Sequence, residues 1–107
     1  MIYYDVYGFE SDDFEVARNV LKEALNIQLE AHHSFYLGDY YKFCSDDGEE
    51  FTIKENFVED VEDYRERKHK QFPLLLYIEE LTKENSENYR IIFSQYEGVV
   101  FLRRDII

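Results

Sequence analysis

The sequence of 107 residues has little of what several classes of small protein require. Its one cysteine, Cys44, cannot form a disulfide within the chain, which excludes a disulfide-stabilised scaffold. With four glycines and one proline, it offers no glycine-rich loop for binding phosphate. The longest wholly apolar run, residues 72–78, is far too short to cross a membrane, and residues 1–5 lack the basic start of a signal peptide. We therefore expect a cytoplasmic protein.

Positive charge is scarce as well, since 12 Lys and Arg residues face 24 Asp and Glu residues and the formal net charge is −12. Nucleic acids and anionic membranes require a positive surface, so we expect neither as a direct partner. The apolar content of 45% and the aromatic content of 18% are too high for a disordered acidic tail. The length suits one domain, residues 1–107, because two domains would each be too small to bury a good core.

The acidic residues are concentrated in residues 46–66. Ten acidic side chains in this segment face only Lys54 and Arg65, so the segment carries a net charge of −8. A short basic run follows at 65–70. Such a distribution is typical either of a solvated surface or of a docking surface for a basic partner, and the sequence leaves both interpretations open.

The first half of the chain predicts a strand, a helix and three further strands. Residues 2–8 alternate as a strand does, and Ser11 is a suitable N-cap for an amphipathic helix that ends near Asn26. The Asp-Asp-Gly sequence at 46–48 predicts a hairpin turn. The strands that follow the helix are expected at 29–36, 39–44 and 51–56.

The second half predicts a strand, a helix and a last strand after a long connection. Residues 57–71 have too few apolar side chains to pack on their own, so we interpret them as a connection with a helical turn near 58–64. The apolar run 74–78 predicts a strand covered on both faces. The second helix is expected to begin at Asn85 or Ser86 and to end before Gly98. The last strand is expected at 99–102, with Arg103 and Arg104 at its exposed end.

This order, βα-ββββ-αβ, predicts an α+β fold in a single domain. The second and third strands could also be one bent strand, which would give βα-βββ-αβ. Each helix bridges two strands, and a right-handed crossover would make those strands parallel, whereas the middle strands should form an antiparallel meander. We expect a mixed, mostly antiparallel sheet of about five or six strands packed by two helices.

The sequence contains no convincing catalytic or metal-binding pattern. His32 and His33 are adjacent, so on a strand they point to opposite faces and cannot hold one metal ion together. Cys44 lies among aromatic residues, where a lone cysteine is usually a small apolar core residue. The carboxylates lie in polar runs, whereas acid–base catalysis needs one of them in a desolvated pocket. We expect no enzyme activity, no catalytic residue, no metal and no cofactor.

A cluster of aromatic residues near the acidic segment offers candidates for a protein interface. Tyr40 and Tyr41 are neighbours on a predicted strand, so one should face the core and the other should face outward. An exposed tyrosine beside carboxylates is typical of interface anchors. The predicted partner-binding residues are therefore Tyr40, Tyr41, Asp46, Asp47, Glu49, Glu50, Glu59, Asp60, Glu62 and Asp63.

Several features together resemble a known class of bacterial proteins. They are the strand–helix opening to Asn26, the turn at 36–41, residues 48–51, the acidic stretch before 72–77, and the segment 98–104. The chain is in these respects similar to the small acidic immunity proteins of bacterial contact-dependent growth inhibition and polymorphic toxin systems. The resemblance implies a protein that binds one cognate toxin, often a nuclease, and blocks it, but it identifies no binding residue.

Two alternatives remain open at this stage. The first is a generic acidic binding or regulatory module, either a monomer or a weak homodimer formed through Val99, Val100 and Phe101 of the last strand. The second is a small hydrolase or nuclease that uses Asp or Glu together with His32 or His33.

Overall fold

A computed structural model describes residues 1–35 and 38–107. Tyr36 and Leu37, predicted to end the second strand and to enter a turn, lie outside the described residues. The main elements follow the predicted order, and the connection at 57–71 contains two short strands and two 3-10 turns, at Glu59–Val61 and Arg67–His69. The strands and helices are β1 (Tyr3–Phe9), α1 (Phe14–Leu25), β2 (Glu30–Ser34), β3 (Gly38–Cys44), β4 (Glu50–Glu55), β5 (Phe57–Val58), β6 (Asp63–Tyr64), β7 (Leu74–Leu81), α2 (Lys83–Phe93) and β8 (Val99–Ile106).

Six of the strands form one sheet in the order β2-β3-β4-β7-β1-β8, and β5 pairs with β6 in a separate small hairpin. Every hydrogen-bonded strand pair in the described residues is antiparallel. Each helix does connect two strands that run in the same direction, but other strands lie between them, so they do not pair. The predicted α+β class, with two helices on a mostly antiparallel sheet, is confirmed.

The helices cover one face of the sheet and form the main core there. Tyr7 and Phe9 of β1, Leu21 of α1 and Phe93 of α2 are at most 1% exposed. The Tyr7 ring lies 4.9 Å from the Phe93 ring, centre to centre. The apolar side chains on this face of the strands and those on the apolar faces of the two helices therefore pack in one layer.

The helix boundaries differ slightly from those predicted because different side chains provide the caps. Asp13, not Ser11, is the N-cap of α1, and its Oδ1 accepts a hydrogen bond from the Glu15 N–H at 2.9 Å. Ser11 Oγ instead accepts from the Asp13 N–H. In α2, Thr82 Oγ1 accepts from the Asn85 N–H, so this helix starts earlier than predicted.

The connection at 57–71 is folded over the opposite face of the sheet. Leu75 is fully buried there with Val6 and Phe72, which confirms that the apolar run in β7 is covered on both faces. The Phe72 ring rests directly on Gly8, where an added Cβ would lie only 2.5 Å from Phe72 Cγ. The end of the connection is therefore held on this face by Phe72, the residue that directly follows it.

A buried asparagine fixes the path of this connection. Asn56 is fully buried, and its Nδ2 donates to the carbonyl oxygens of His69 and Phe72, each at 2.9 Å. Its Oδ1 accepts from the Glu66 N–H, also at 2.9 Å. One side chain thus satisfies three backbone groups of a segment that forms little regular structure of its own.

Candidate functional site

The fold divides the acidic segment 46–66 between two ends of the sheet. The hairpin turn at 45–49 precedes β4, whereas residues 57–66 follow it. A six-residue strand spans roughly 20 Å, at about 3.4 Å per residue. The carboxylates that are clustered in sequence therefore do not form one continuous surface.

At the first end, the predicted hairpin is present and its tip is acidic. Gly48 has a φ of +90°, and the Ser45 N–H donates to the Glu49 carbonyl at 2.8 Å. Asp46 and Asp47 are exposed at the tip. This turn conformation is the one that the Asp-Asp-Gly sequence predicts.

Two other predicted site residues of this hairpin are engaged within the molecule. Glu49 is 5% exposed, and its carboxylate accepts from Asn85 Nδ2 at 2.7 Å and from the Tyr89 hydroxyl at 2.6 Å. Burial and this hydrogen bond raise the pKa of Tyr89. Glu50 lies 3.1 Å from Lys42 Nζ, and that contact lowers the pKa of Glu50. Glu49 therefore holds the hairpin to α2.

The two predicted tyrosines lie on opposite faces of the sheet, as their adjacency on β3 requires. Tyr41 packs against the core, with its ring centre 5.0 Å from that of Phe14 and 4.6 Å from the Arg18 guanidinium. Tyr40 stacks on His32 at 5.2 Å with an interplanar angle of 13°. Of the two tyrosines, Tyr40 is the one available to a partner.

At the other end of the sheet, carboxylates surround an open depression of about 280 Å³, which we call the acidic groove. Its positively charged lining residue is Arg65, whose Nε donates to the Glu55 carbonyl at 2.9 Å. His33 also lines it, with Nδ1 2.9 Å from Asp39 Oδ1. The acidic groove is defined by Asp39, Glu55, Phe57, Val58, Glu59, Asp60 and Arg65.

The β5–β6 hairpin positions the predicted site residues of this region. Glu59 and Asp60 are exposed in the 3-10 turn, and Glu62 ends that turn with a φ of +52°. Asp63 accepts from the Tyr64 N–H at 2.7 Å and from Arg67 at 2.5 Å, and these two bonds lower its pKa. Three of the four carboxylates are therefore presented outward, whereas Asp63 stabilises the hairpin.

Exposed apolar side chains stand among these carboxylates. Phe57 is 41% exposed and Val61 is 69% exposed. The Phe57 ring meets the Tyr64 ring edge-on at 5.1 Å, which fixes its orientation. Glu55 and Phe57 also line a neighbouring depression with Glu10 and Asp12. Apolar anchors within a charged rim are typical of protein interfaces.

The sequence prediction missed several residues of this site. Asp39, Glu55 and Phe57 line the acidic groove but were not in the predicted set. The signal that could have identified the region is the presence of Phe57, Val58 and Val61 within an otherwise acidic run, because apolar side chains without a core position indicate a contact surface.

Arg103 and Arg104 are not at an exposed strand end, because β8 continues to Ile106. Arg103 donates from Nε to the buried Glu66 at 2.7 Å and also pairs with Asp105. Arg104 donates from Nε to the fully buried Asp5 at 2.9 Å. Burial disfavours the charge of Glu66, but hydrogen bonds from Arg103 and from Tyr77 outweigh burial and lower its pKa. Both arginines therefore stabilise buried carboxylates.

In residues 1–35 and 38–107, no three His, Cys, Asp or Glu side chains are arranged to hold a metal ion. No helix in the described part of the chain is long and apolar enough to cross a membrane. Models of known protein families and the sequences of curated proteins gave no match to this chain.

Proposed function

We propose that this chain is a cytoplasmic, non-enzymatic immunity protein that binds a basic bacterial protein toxin of the nuclease class and neutralises it. The observation that carries the proposal is the acidic groove, in which four carboxylates from β3, β4 and the β5–β6 hairpin surround an exposed phenylalanine. The resemblance in sequence to immunity proteins of toxin systems supports the same role.

A nuclease presents a positively charged surface to its substrate. Enzymes that cleave RNA or DNA hold phosphates with Lys and Arg side chains, so their working surface is positive. Carboxylates can occupy that surface in place of phosphates, and a net charge of −12 accelerates the encounter. Charges at a rim add little affinity by themselves, so Phe57 and Val61 are the expected anchors.

Co-expression with the toxin encoded beside its gene tests the proposal. We expect the chain to protect the host, and we expect protection to fall in a variant that combines Glu59→Lys with Asp60→Lys. The matched control combines Asp46→Lys with Asp47→Lys, because that pair changes the charge equally at the opposite end of the sheet. Failure to protect against any neighbouring toxin would contradict the function, and equal loss in the control would contradict the assignment of the surface.

A second candidate is a generic acidic binding or regulatory module that dimerises through β8. The observation in its favour is that β8 is an eight-residue strand at the edge of the sheet, with Val100 38% exposed. Val99 and Phe101 pack against the core instead. Light scattering on the purified chain, with and without the substitution Val100→Asp, distinguishes this candidate from a monomer.

A further inference from the structure

The basic run at 65–70 has no role in the proposed function, and the fold turns it into a groove of opposite sign. Residues 64–69 and Arg103 line a depression of about 560 Å³. Four basic residues, Arg65, Arg67, Lys68 and Arg103, line it together with one carboxylate, Glu66. Arg67 is paired with Asp63, and Arg103 is paired with Glu66 and Asp105, so the local formal charge is +1. Arg65 and Lys68 are the lining cations without an ion pair among the described residues. We call it the basic groove.

The basic groove adjoins the acidic groove. Arg65 lines both depressions, and four carboxylates with this one arginine give the acidic groove a formal charge of −3. The two surfaces are therefore opposite in charge and share a boundary residue.

The segment that carries both grooves is held rigidly. Asn56 fixes the backbone at Glu66 and His69, and Arg103 is fixed by its bonds to Glu66. Lys68 is exposed and has no ion pair among the described residues. Little backbone conformational entropy would be lost on binding, because the backbone that carries these groups is already held.

From this arrangement we infer that two copies of the chain associate through these grooves about a two-fold axis. In a two-fold dimer the same patch occurs on both partners, so a patch that contains adjoining acidic and basic halves is self-complementary. The acidic groove of one copy faces the basic groove of the other, and each contact occurs twice. Val61, 69% exposed in the same turn as Glu59 and Asp60, adds apolar area to this patch.

A partner of one sign of charge fits this surface less well. A nucleic acid strand carries a negative charge at each successive nucleotide, so it would extend from the basic groove past the carboxylates of the acidic groove. A second copy carries both signs in the required adjacency. The repulsion between two chains of charge −12 is largely screened beyond about 8 Å at physiological ionic strength, whereas the groove contacts are short-range.

Self-association through this surface would compete with the proposed binding of a toxin, although the inferred dimer does not depend on that function. Glu59 and Asp60 belong to the acidic groove, so a copy that is paired in this way cannot present them to a toxin. Dimer formation and toxin binding would exclude each other.

Charge reversal tests the inference on the isolated chain. Sedimentation velocity at physiological ionic strength should show the mass rising with concentration from 13.0 kDa toward twice that value. Glu59→Lys alone and Lys68→Glu alone should each raise the dissociation constant roughly tenfold, because each reversed charge meets a like charge at two contacts. An equimolar mixture of the two variants should associate again, since each introduced charge then faces its opposite.

Matched controls separate this surface from the rest of the molecule. Glu23→Lys in α1 and Lys83→Glu in α2 change the charge equally at exposed sites elsewhere and should leave the dimer intact. A wild-type chain that remains a monomer at every concentration would overturn the inference. It would also be overturned by a dimer that survives Glu59→Lys and Lys68→Glu but dissociates with Val100→Asp, because that result would place the interface at β8.

Discussion

The substitution Asn56→Ala provides the sharpest test of how the connection at 57–71 is held. Asn56 is fully buried, and its side chain makes three hydrogen bonds of 2.9 Å to backbone groups of His69, Phe72 and Glu66. Its own backbone N–H and C=O bond to Pro73 and Arg65, and alanine keeps both of those bonds. The substitution therefore removes only the side-chain contacts.

The expected loss of stability follows from the groups left without partners. The Phe72 carbonyl and the Glu66 N–H are bonded in the interior, and a buried backbone group without a partner costs about 1–3 kcal/mol. The bond to the His69 carbonyl is only partly buried, so that oxygen can accept a hydrogen bond from water instead. We expect the free energy of unfolding to fall by about 3 kcal/mol, out of a total of about 5–15 kcal/mol for a domain of ordinary stability.

Urea unfolding followed by circular dichroism measures this loss. In a separate thermal unfolding experiment, the melting temperature should fall by about 12 °C, at about 4 °C per kcal/mol for a chain of this size. Hydrogen exchange should become faster at the Glu66 amide, which donates to Asn56 in the wild type. Asn88→Ala on the exposed side of α2 is the control and should cost nothing measurable. A loss below about 1 kcal/mol for Asn56→Ala would show that its side chain does not hold the connection.

Three further predictions follow from other contacts. Gly8→Ala places a Cβ against the Phe72 ring and should lower the free energy of unfolding by about 1–3 kcal/mol in urea titrations. The pKa of Glu66 is lowered in the fold, so its ion pair with Arg103 contributes its full stability at pH values above the ordinary pKa of about 4.5. This contribution is lost as the pH falls through the lowered pKa. Glu66→Gln should therefore make the free energy of unfolding depend less steeply on pH in the acid range. A third variant replaces four acidic residues by serine: Glu59, Asp60, Glu62 and Asp63. It should associate more slowly with a basic toxin, mainly at low ionic strength.

Each of these predictions has a result that would contradict it. Gly8→Ala with wild-type stability would show that Phe72 can move away at no cost. An acid limb that is equally steep in Glu66→Gln would assign the acid sensitivity to other carboxylates. Unchanged association rates at low salt would assign the four acidic residues to solubility. The control for total charge is the same replacement at four exposed acidic residues elsewhere: Glu23, Asp46, Asp47 and Glu87.

The sequence was sufficient where structure depends on local pattern. The alternation in β1 and the stripe of α1 depend on neighbours within a few residues, and both elements are present near the predicted positions. The unbroken apolar run in β7 correctly indicated a strand covered on both faces. The turn at 46–48 follows from residues that tolerate positive φ.

The sequence was insufficient where a side chain finds a distant partner. Arg104 pairs with Asp5, 99 residues away, and Arg103 pairs with Glu66, so neither is at a free strand end. The connection at 57–71 is ordered by one buried asparagine, a contact that has no periodic signature. The acidic segment is divided because β4 separates its two halves, and local charge counting cannot detect that separation.

Hydrogen–deuterium exchange of the chain, with and without a candidate toxin encoded beside its gene, is the direct test of the acidic groove as a toxin-binding surface. If the acidic groove is the binding surface, added toxin should slow exchange at the amides of residues 57–66 and leave the hairpin tip at 45–49 unchanged. Slowed exchange confined to 45–49 or to β8, with none at 57–66, would contradict the claim.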